Sequence, residues 1–399
     1  MLRRLLAPVT LVALLAPATA GAAGWSADRA QTRAGTAGAV HAAGGNGDRV
    51  ALGWSRRLGR VQRAELRLGR ARSGLGGAPI VLDSSPNSVE APLPAYIRGG
   101  SFAIVWRRYY RPTHRLRLTT VDRHGRRGAR INLTTTGESA YDPRWVAGPV
   151  GALIWSRRTR ADAIEFVPTG FRGVRLPVSA LSEPGAAGGP DGLATVSWVD
   201  EGRVLVADRG ADGFGPATVV AAGAVDATRV VRLPGGATLL FWRQDEDLIV
   251  AARPAGGSFG APRRVLASTT DAAQVAVTRT GEVLVVAPTG NRSFVGELRL
   301  ARLGVDGTPL GPQRSLGSGR HAALVADGTG SAFVAWTGES SARSVLARRV
   351  AAGGILGPPR VLAARTDSAS RPALAATREG GAVAAWITGG DVHARSYRP

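Results

Sequence analysis

Three short phrases carry the densest chemistry in this sequence: WSRR at 54–57, WRRYY at 106–110 and WSRRTR at 155–160. Each sets two or more arginines directly behind a tryptophan. A guanidinium is permanently charged, and its forked donors match the oxygens of phosphate, sulfate or carboxylate groups. Where the three phrases occupy equivalent turns of neighbouring structural units, Arg56, Arg57, Arg107, Arg108, Arg157, Arg158 and Arg160 gather on one surface beside Tyr109 and Tyr110. The partner such a surface suits is a multivalent anionic polymer, such as a cell-wall polymer or an acidic polysaccharide. Extracellular nucleic acid has less support. The bland alternative is a solvated basic rim with no ligand.

The distribution of charge gives this reading weight. The chain has 51 basic residues, all arginine, against 29 acidic ones, for a formal net charge of +22. A GC-rich genome explains arginine in place of lysine, but not where the arginines sit. Residues 49–160 hold 22 arginines and 6 acidic residues, a net of +16; residues 161–399 hold 25 and 21, a net of only +4.

Other chemistry is hard to find. The five histidines, His41, His114, His124, His321 and His393, show no metal-binding spacing, and there is no cysteine. A zinc site would need distant side chains to converge, so no cofactor or metal is expected. The acidic run Asp245-Glu246-Asp247 has too few alternating oxygen ligands for a calcium loop and reads as a polar turn. The nucleophile pattern G-x-S-x-G and the phosphate-binding loop are missing. A glycosidase carboxylate pair drawn from separate units stays open, but nothing in the sequence selects one.

What positions the arginines is a repeat. Apolar runs end in Trp54, Trp106, Trp155, Trp198, Trp242, Trp336 and Trp386, and Ala287 fills the same place in GEVLVVA; the intervals are 52, 49, 43, 44, 45, 49 and 50 residues. Each unit reads as a small-residue strand, a glycine turn, the tryptophan strand, a polar turn, a third strand and a fourth rich in Gly-Pro. Short apolar runs bounded by glycine are strand signals, and no segment sustains a helical period. Pro216, Pro262, Pro312, Pro358 and Pro359 fall in the fourth strand, so that strand is expected at the sheet edge, where a missing N–H is tolerated. Four-stranded units of this length, repeated four to eight times, predict an all-β propeller. Eight blades are expected, with seven as the alternative because GAAGGP makes a weak first strand before Trp198. The last unit stops after its third strand, and GWSADRAQTRAG near the N-terminus resembles a fourth. The N-terminal strand is therefore expected to complete the last blade and close the ring.

The phrase G-x-(A/V)-V-x-W, followed by a strand ending near arginine and then G-x-(F/L)-G-P, resembles the repeats of secreted propeller-like proteins of GC-rich bacteria. Likeness to TolB-type and WD-repeat propellers is architectural only; the Trp-Asp dipeptide and the sialidase Asp box are absent. The resemblance implies fold and export and no activity.

Residues 1–20 read as a secretory signal peptide: a basic MLRR, an apolar run broken by Pro8 and Pro17, and Ala18-Thr19-Ala20 before the cut, with a later cut at 23 as an option. Residues 21–399 are expected to form one propeller domain, secreted and either free or associated with the cell wall. A non-catalytic binding or scaffold role is preferred. The alternatives are a carbohydrate-active hydrolase or lyase acting at the central channel, and a purely structural surface protein.

Overall fold

The computed structural model describes residues 23–32, 35–134, 139–146, 151–157, 161–167, 170–177, 184–189, 192–210, 212–290, 296–339, 343–364 and 371–399. The expected signal peptide lies outside them. Among the described residues there is no α-helix, only two short 3₁₀ turns at Arg98–Gly100 and Ala352–Gly354.

Among the described residues the strands pair antiparallel in seven sheets, one of which divides at a shared strand into two four-stranded units that are counted separately below. The first sheet runs from Thr36–Gly44 through Arg49–Leu58 and Val61–Arg70 to an outer position shared by Gly74–Leu75 and Ile80–Ser85. The second comprises Leu93–Tyr96, Phe102–Tyr110, Thr113–Val121 and Ile131–Asn132. Four further sheets follow the same up-and-down order, beginning at Tyr141, Gly185, Val225 and Gln274. The glycine-rich Gly185–Gly189 segment, weak as sequence, pairs with Gly192–Asp200 as the innermost strand of the fourth. Arg314–Ala326 serves two sheets, as outer strand of the sixth and innermost strand of the seventh.

The eighth sheet takes Ala373–Ala376, Ala382–Thr388 and Asp391–Arg398 from the C-terminus and its outer strand from the other end of the chain. Gly24 and Trp25 pair with Arg398 and Tyr397, and Arg29 and Ala30 pair with Ala394 and His393. Trp25 packs edge-on against Tyr397 and Phe333, with ring centroids 5.5 and 6.1 Å away. Farther along, the Gln31 N–H donates to Val392 O, and Arg67 of the first sheet donates to Gln31 at 2.8 Å. The N-terminal segment thus ties the last sheet to the first.

Eight apolar clusters explain why the sheets form a ring. Each cluster is shared by two sheets consecutive in sequence, and the last joins Trp54 and Leu52 of the first sheet to Val383, Ala385 and Ile387 of the eighth. Every sheet is therefore covered on both faces. That is why its tryptophan strand is almost continuously apolar, and why all seven anchor tryptophans are at most 3% exposed. The inner strands approach closely. A Cβ on Gly44 would lie 1.8 Å from Ala376 O of the eighth sheet, and one on Gly328 would lie 2.3 Å from Arg378 O, so these places require glycine.

The prolines mark something finer than an edge strand. Pro216 falls between Gly213–Phe214 and Thr218–Ala222, and Pro358 and Pro359 fall between Ile355–Leu356 and Arg360–Ala363. They sit in a break that splits the outer position into two short pieces, where no ladder donor is needed.

Candidate functional site

The tryptophans bury an indole N–H that needs an acceptor, and the arginines two residues later lie on the same strand face. In the first sheet Glu65 sits opposite Trp54 on the next strand. Its carboxylate, 1% exposed, accepts Trp54 Nε1 at 2.8 Å and Arg56 Nη2 at 2.6 Å. In the third sheet Asp162 lies opposite Trp155 and pairs with Arg157.

The second sheet borrows its acid from its neighbour. Asp83, on the outer strand of the first sheet, accepts Trp106 Nε1 at 2.9 Å, Arg108 Nη1 at 2.9 Å and Arg117 Nη1 at 2.6 Å, with Arg130 a further 3.7 Å partner. Its side chain is 2% exposed. Three guanidiniums, those of Arg108, Arg115 and Arg117, stand 4.9, 4.6 and 5.3 Å from the centre of the Tyr110 ring. The ring's negative face and the single carboxylate together offset their mutual repulsion. Glu165, fully buried in the third sheet, is held in the same manner by Arg172 and Arg209 and by the Leu193 N–H at 2.6 Å.

These contacts reassign most of the expected arginine surface. Arg56, Arg108 and Arg157 each bind an internal carboxylate. Arg107 forms a two-pronged pair with Glu90 and also donates to Ala140 O. Tyr109 packs on His114, with ring centroids 5.0 Å apart. Arg57 remains exposed at its turn, donating to Gly59 O. Arg158 and Arg160 lie outside the described residues. Arg60 and Arg111, not singled out in sequence, are exposed on the same kind of turn, Arg60 beside Arg57 and Arg111 in the second sheet. Asp83, Glu65 and Arg117 were also missed. Asp83 lies 23 positions before its tryptophan, in the preceding repeat, so spacing within one repeat does not reveal it.

A second cluster lies at one end of the innermost strands. The first, third, fifth and seventh sheets carry a β-bulge there, beside the tryptophan's level on the neighbouring strand. In three of them a non-glycine residue takes a left-handed conformation: Asp142 (φ 47°), Ala227 (φ 44°) and His321 (φ 53°). Such outliers store strain and re-aim neighbouring side chains. Nearby acids are claimed by arginine: Glu90 by Arg107, Asp226 by Arg243, and Asp271 by Arg371 at 3.7 Å. His41, on the innermost strand of the first sheet, has its pKa lowered to about 4, chiefly by burial and against the opposing pull of Glu90. It is therefore a neutral imidazole at physiological pH. Among the described residues no group of three or more histidine or acidic side chains is placed to hold a metal ion.

No protein-family model matches the sequence, and no curated protein matches it. Solved structures do match in shape. The Dos1 propeller superposes with a TM-score of 0.54 at 12% identity, covering 93% of this chain and 94% of that one. The virginiamycin B lyase of Staphylococcus aureus, in a catalytically inactive form with quinupristin, gives 0.50 at 11% identity over 77% of this chain and 94% of that one. Prolyl oligopeptidase B of Galerina marginata gives 0.50 at 11% identity; 84% of this chain is covered but only 53% of the other. The chain is a β-propeller. Identities this low speak to fold alone, and the propellers it resembles include enzymes. The expected kinship with secreted repeat proteins of GC-rich bacteria finds no sequence match.

Proposed function

We propose that this propeller, read as eight blades in one domain, is a secreted binding protein that engages an anionic polymer through exposed arginines on the turns of its first two blades. One observation carries the reading. Of the acidic residues in the basic segment, Glu65, Asp83, Glu90 and Asp122 are each paired with an arginine, yet Arg57, Arg60 and Arg111 stand exposed with no carboxylate partner among the described residues. Equivalent turns of adjacent blades lie on one face of a ring, so these side chains present repeated charge at blade spacing, which suits a polymer better than a single small anion. Arg56, Arg107, Arg108 and Arg157 act behind that surface by holding strands and acids in place.

Retention on immobilised heparin or wall polymer tests it. The triple variant Arg57→Ala, Arg60→Ala, Arg111→Ala is expected to elute at clearly lower salt than wild type while unfolding at the same temperature. Equal elution salt for the two proteins defeats the proposal. A catalytic reading rests on the strained Asp142, Ala227 and His321 at the inner rim. It is the weaker one, because the nearby acids Glu90, Asp226 and Asp271 are paired with arginine. Turnover on a glycan panel that is lost in Asp142→Asn would reverse this preference.

A further inference from the structure

One cleft geometry recurs between neighbouring sheets, and two of its copies, compared below, differ in what fills them. The filled copy lies where the second sheet meets the outer strand of the first. Trp106 stands opposite Arg117. The outer strand next to it pairs Ala64 with Asp83 and Glu65 with Val81, bulging at Leu82. At the boundary of the seventh and eighth sheets the same geometry recurs. Trp386 stands opposite His393, and the outer strand pairs Val345 with Ala363 and Leu346 with Val361, bulging at Leu362. Leu82 and Leu362 both enter the apolar cluster between their sheets. By this register Ala363 occupies the place of Asp83, Thr388 that of Arg108 and His393 that of Arg117.

The acid that satisfies these donors in the first copy has no counterpart in the second, where Ala363 takes its place. Trp386 is 1% exposed, and its Nε1 has no acceptor. Thr388 Oγ1 and Arg395 Nε are likewise buried without partners. Trp386, Thr388 and Arg395 lie on one face of the eighth sheet, since Thr388 is two residues from Trp386 and Arg395 is two from its cross-strand neighbour His393. His393 stacks on Trp386, with ring centroids 6.1 Å apart, and its Nδ1 lies 3.0 Å from Asp28 of the N-terminal segment. Together with Ala363 these side chains line a cleft of about 380 Å³. Asp28 sits against His393, and among the described residues no other carboxylate is paired with Arg395 or with the two neutral donors. A buried donor left unmade keeps the full cost of losing its water.

We propose that this cleft binds a carboxylate group supplied by a small molecule, seated where Asp83 seats its own carboxylate beside Trp106. A carboxylate would accept from the Trp386 indole and the Thr388 hydroxyl and pair with the Arg395 guanidinium. The proposal is independent of the polymer surface on the first two blades.

Sodium acetate, benzoate and glucuronate are the probes, followed by calorimetry and by the Trp386 indole N–H resonance, assigned with Trp386→Phe. At least one of them is expected to bind the full chain and move that resonance. Arg395→Gln is expected to weaken binding about tenfold or more through loss of a charge-assisted contact. Ala363→Asp, which restores the internal acid, is expected to abolish binding and to place the Trp386 resonance near its ligand-bound position without any ligand. The idea is overturned if none of the three carboxylates binds, if Ala363→Asp binds as well as wild type, or if chloride displaces the carboxylate on equal terms. Where Ala363→Asp fails to fold, Arg395→Gln and Thr388→Val decide: unchanged affinity in both removes the site.

Discussion

The second and eighth sheets meet the same demand in opposite ways. Each buries an anchor tryptophan against the outer strand of its neighbour, and each must dispose of a buried indole N–H. At Trp106 the neighbour supplies Asp83, and the chain surrounds that acid with Arg108, Arg117 and Arg130. At Trp386 the neighbour supplies Ala363, and the donors stay unmade. The repeat therefore conserves shape more strictly than chemistry. A backbone bulge and a tryptophan are copied around the ring, while the polar group that completes the site changes from copy to copy. Trp54 uses Glu65 of its own sheet, and Trp242 uses Gln244, two residues along its own strand, at 3.1 Å.

The sharpest way to break this contrast is to make the second sheet resemble the eighth. Asp83→Ala would strand Trp106 Nε1, Arg108 and Arg117 in a buried interface. Removing one partner from a buried, hydrogen-bonded charge cluster costs about 3–5 kcal/mol, and the loss should appear as a lower urea midpoint at unchanged m-value. Acetate is then expected to recover part of that stability by refilling the vacancy. A loss of under about 1 kcal/mol would show that Tyr110 and solvent suffice for the arginines and that Asp83 is not their anchor.

The second expected effect concerns His41, on the innermost strand of the first sheet. His41 stays neutral in the fold down to about pH 4, whereas in the unfolded chain it takes up a proton near 6.5. The unfolded state thus binds more protons between those values. The His41 contribution is complete above about pH 6.5, shrinks as pH falls towards 4, and changes no further below that. The gap corresponds to about 3 kcal/mol, reduced by whatever solvent reaches the ring. Urea unfolding across this range should show the decline in wild type and a flatter profile in His41→Gln.

The eighth sheet has its own weak point, because its outer strand arrives from the far end of the chain. Trp25→Ala removes aromatic contacts to Tyr397 and Phe333. It is expected to cost about 2 kcal/mol, less than a fully buried tryptophan would, since Trp25 is only partly enclosed. Hydrogen exchange should then rise along Asp391–Arg398 and leave the second sheet unaffected. Faster exchange spread evenly over both sheets would mean that the ring opens as one unit rather than at this seam.

How much of this was legible in the sequence follows from where each interaction lies in the repeat. The anchor tryptophans, the four-strand order and the N-terminal completion of the last sheet are written in patterns of alternation and turn residues that repeat in register. The arginines after each tryptophan were equally visible, but their partners were not. Glu65 is eleven residues past Trp54 and is placed by one hairpin, whereas Asp83 reaches Trp106 only because adjacent sheets pack. Packing between repeats adds contacts that no period records, so Arg56, Arg108 and Arg157 read as a free surface when they are internal fasteners. Ala363 leaves even less trace: an alanine in a small-residue strand signals nothing until its register with Asp83 is known.

The smallest stability effect carries the largest functional weight. Arg57, Arg60 and Arg111 are exposed and make no ion pair among the described residues, so replacing each with alanine should change stability by about 0.5 kcal/mol or less. Replacing Arg107 and Arg108 instead removes the Glu90 and Asp83 pairs and should destabilise the fold. The two variants separate surface charge from internal charge. If polyanion retention falls in the exposed triple and stays high in whatever fraction of the Arg107, Arg108 variant remains folded, the binding surface is the set of turn tips. If the pattern reverses, the arginines that hold Asp83 and Glu90 also reach the ligand, and the distinction between fastener and surface fails in the second sheet.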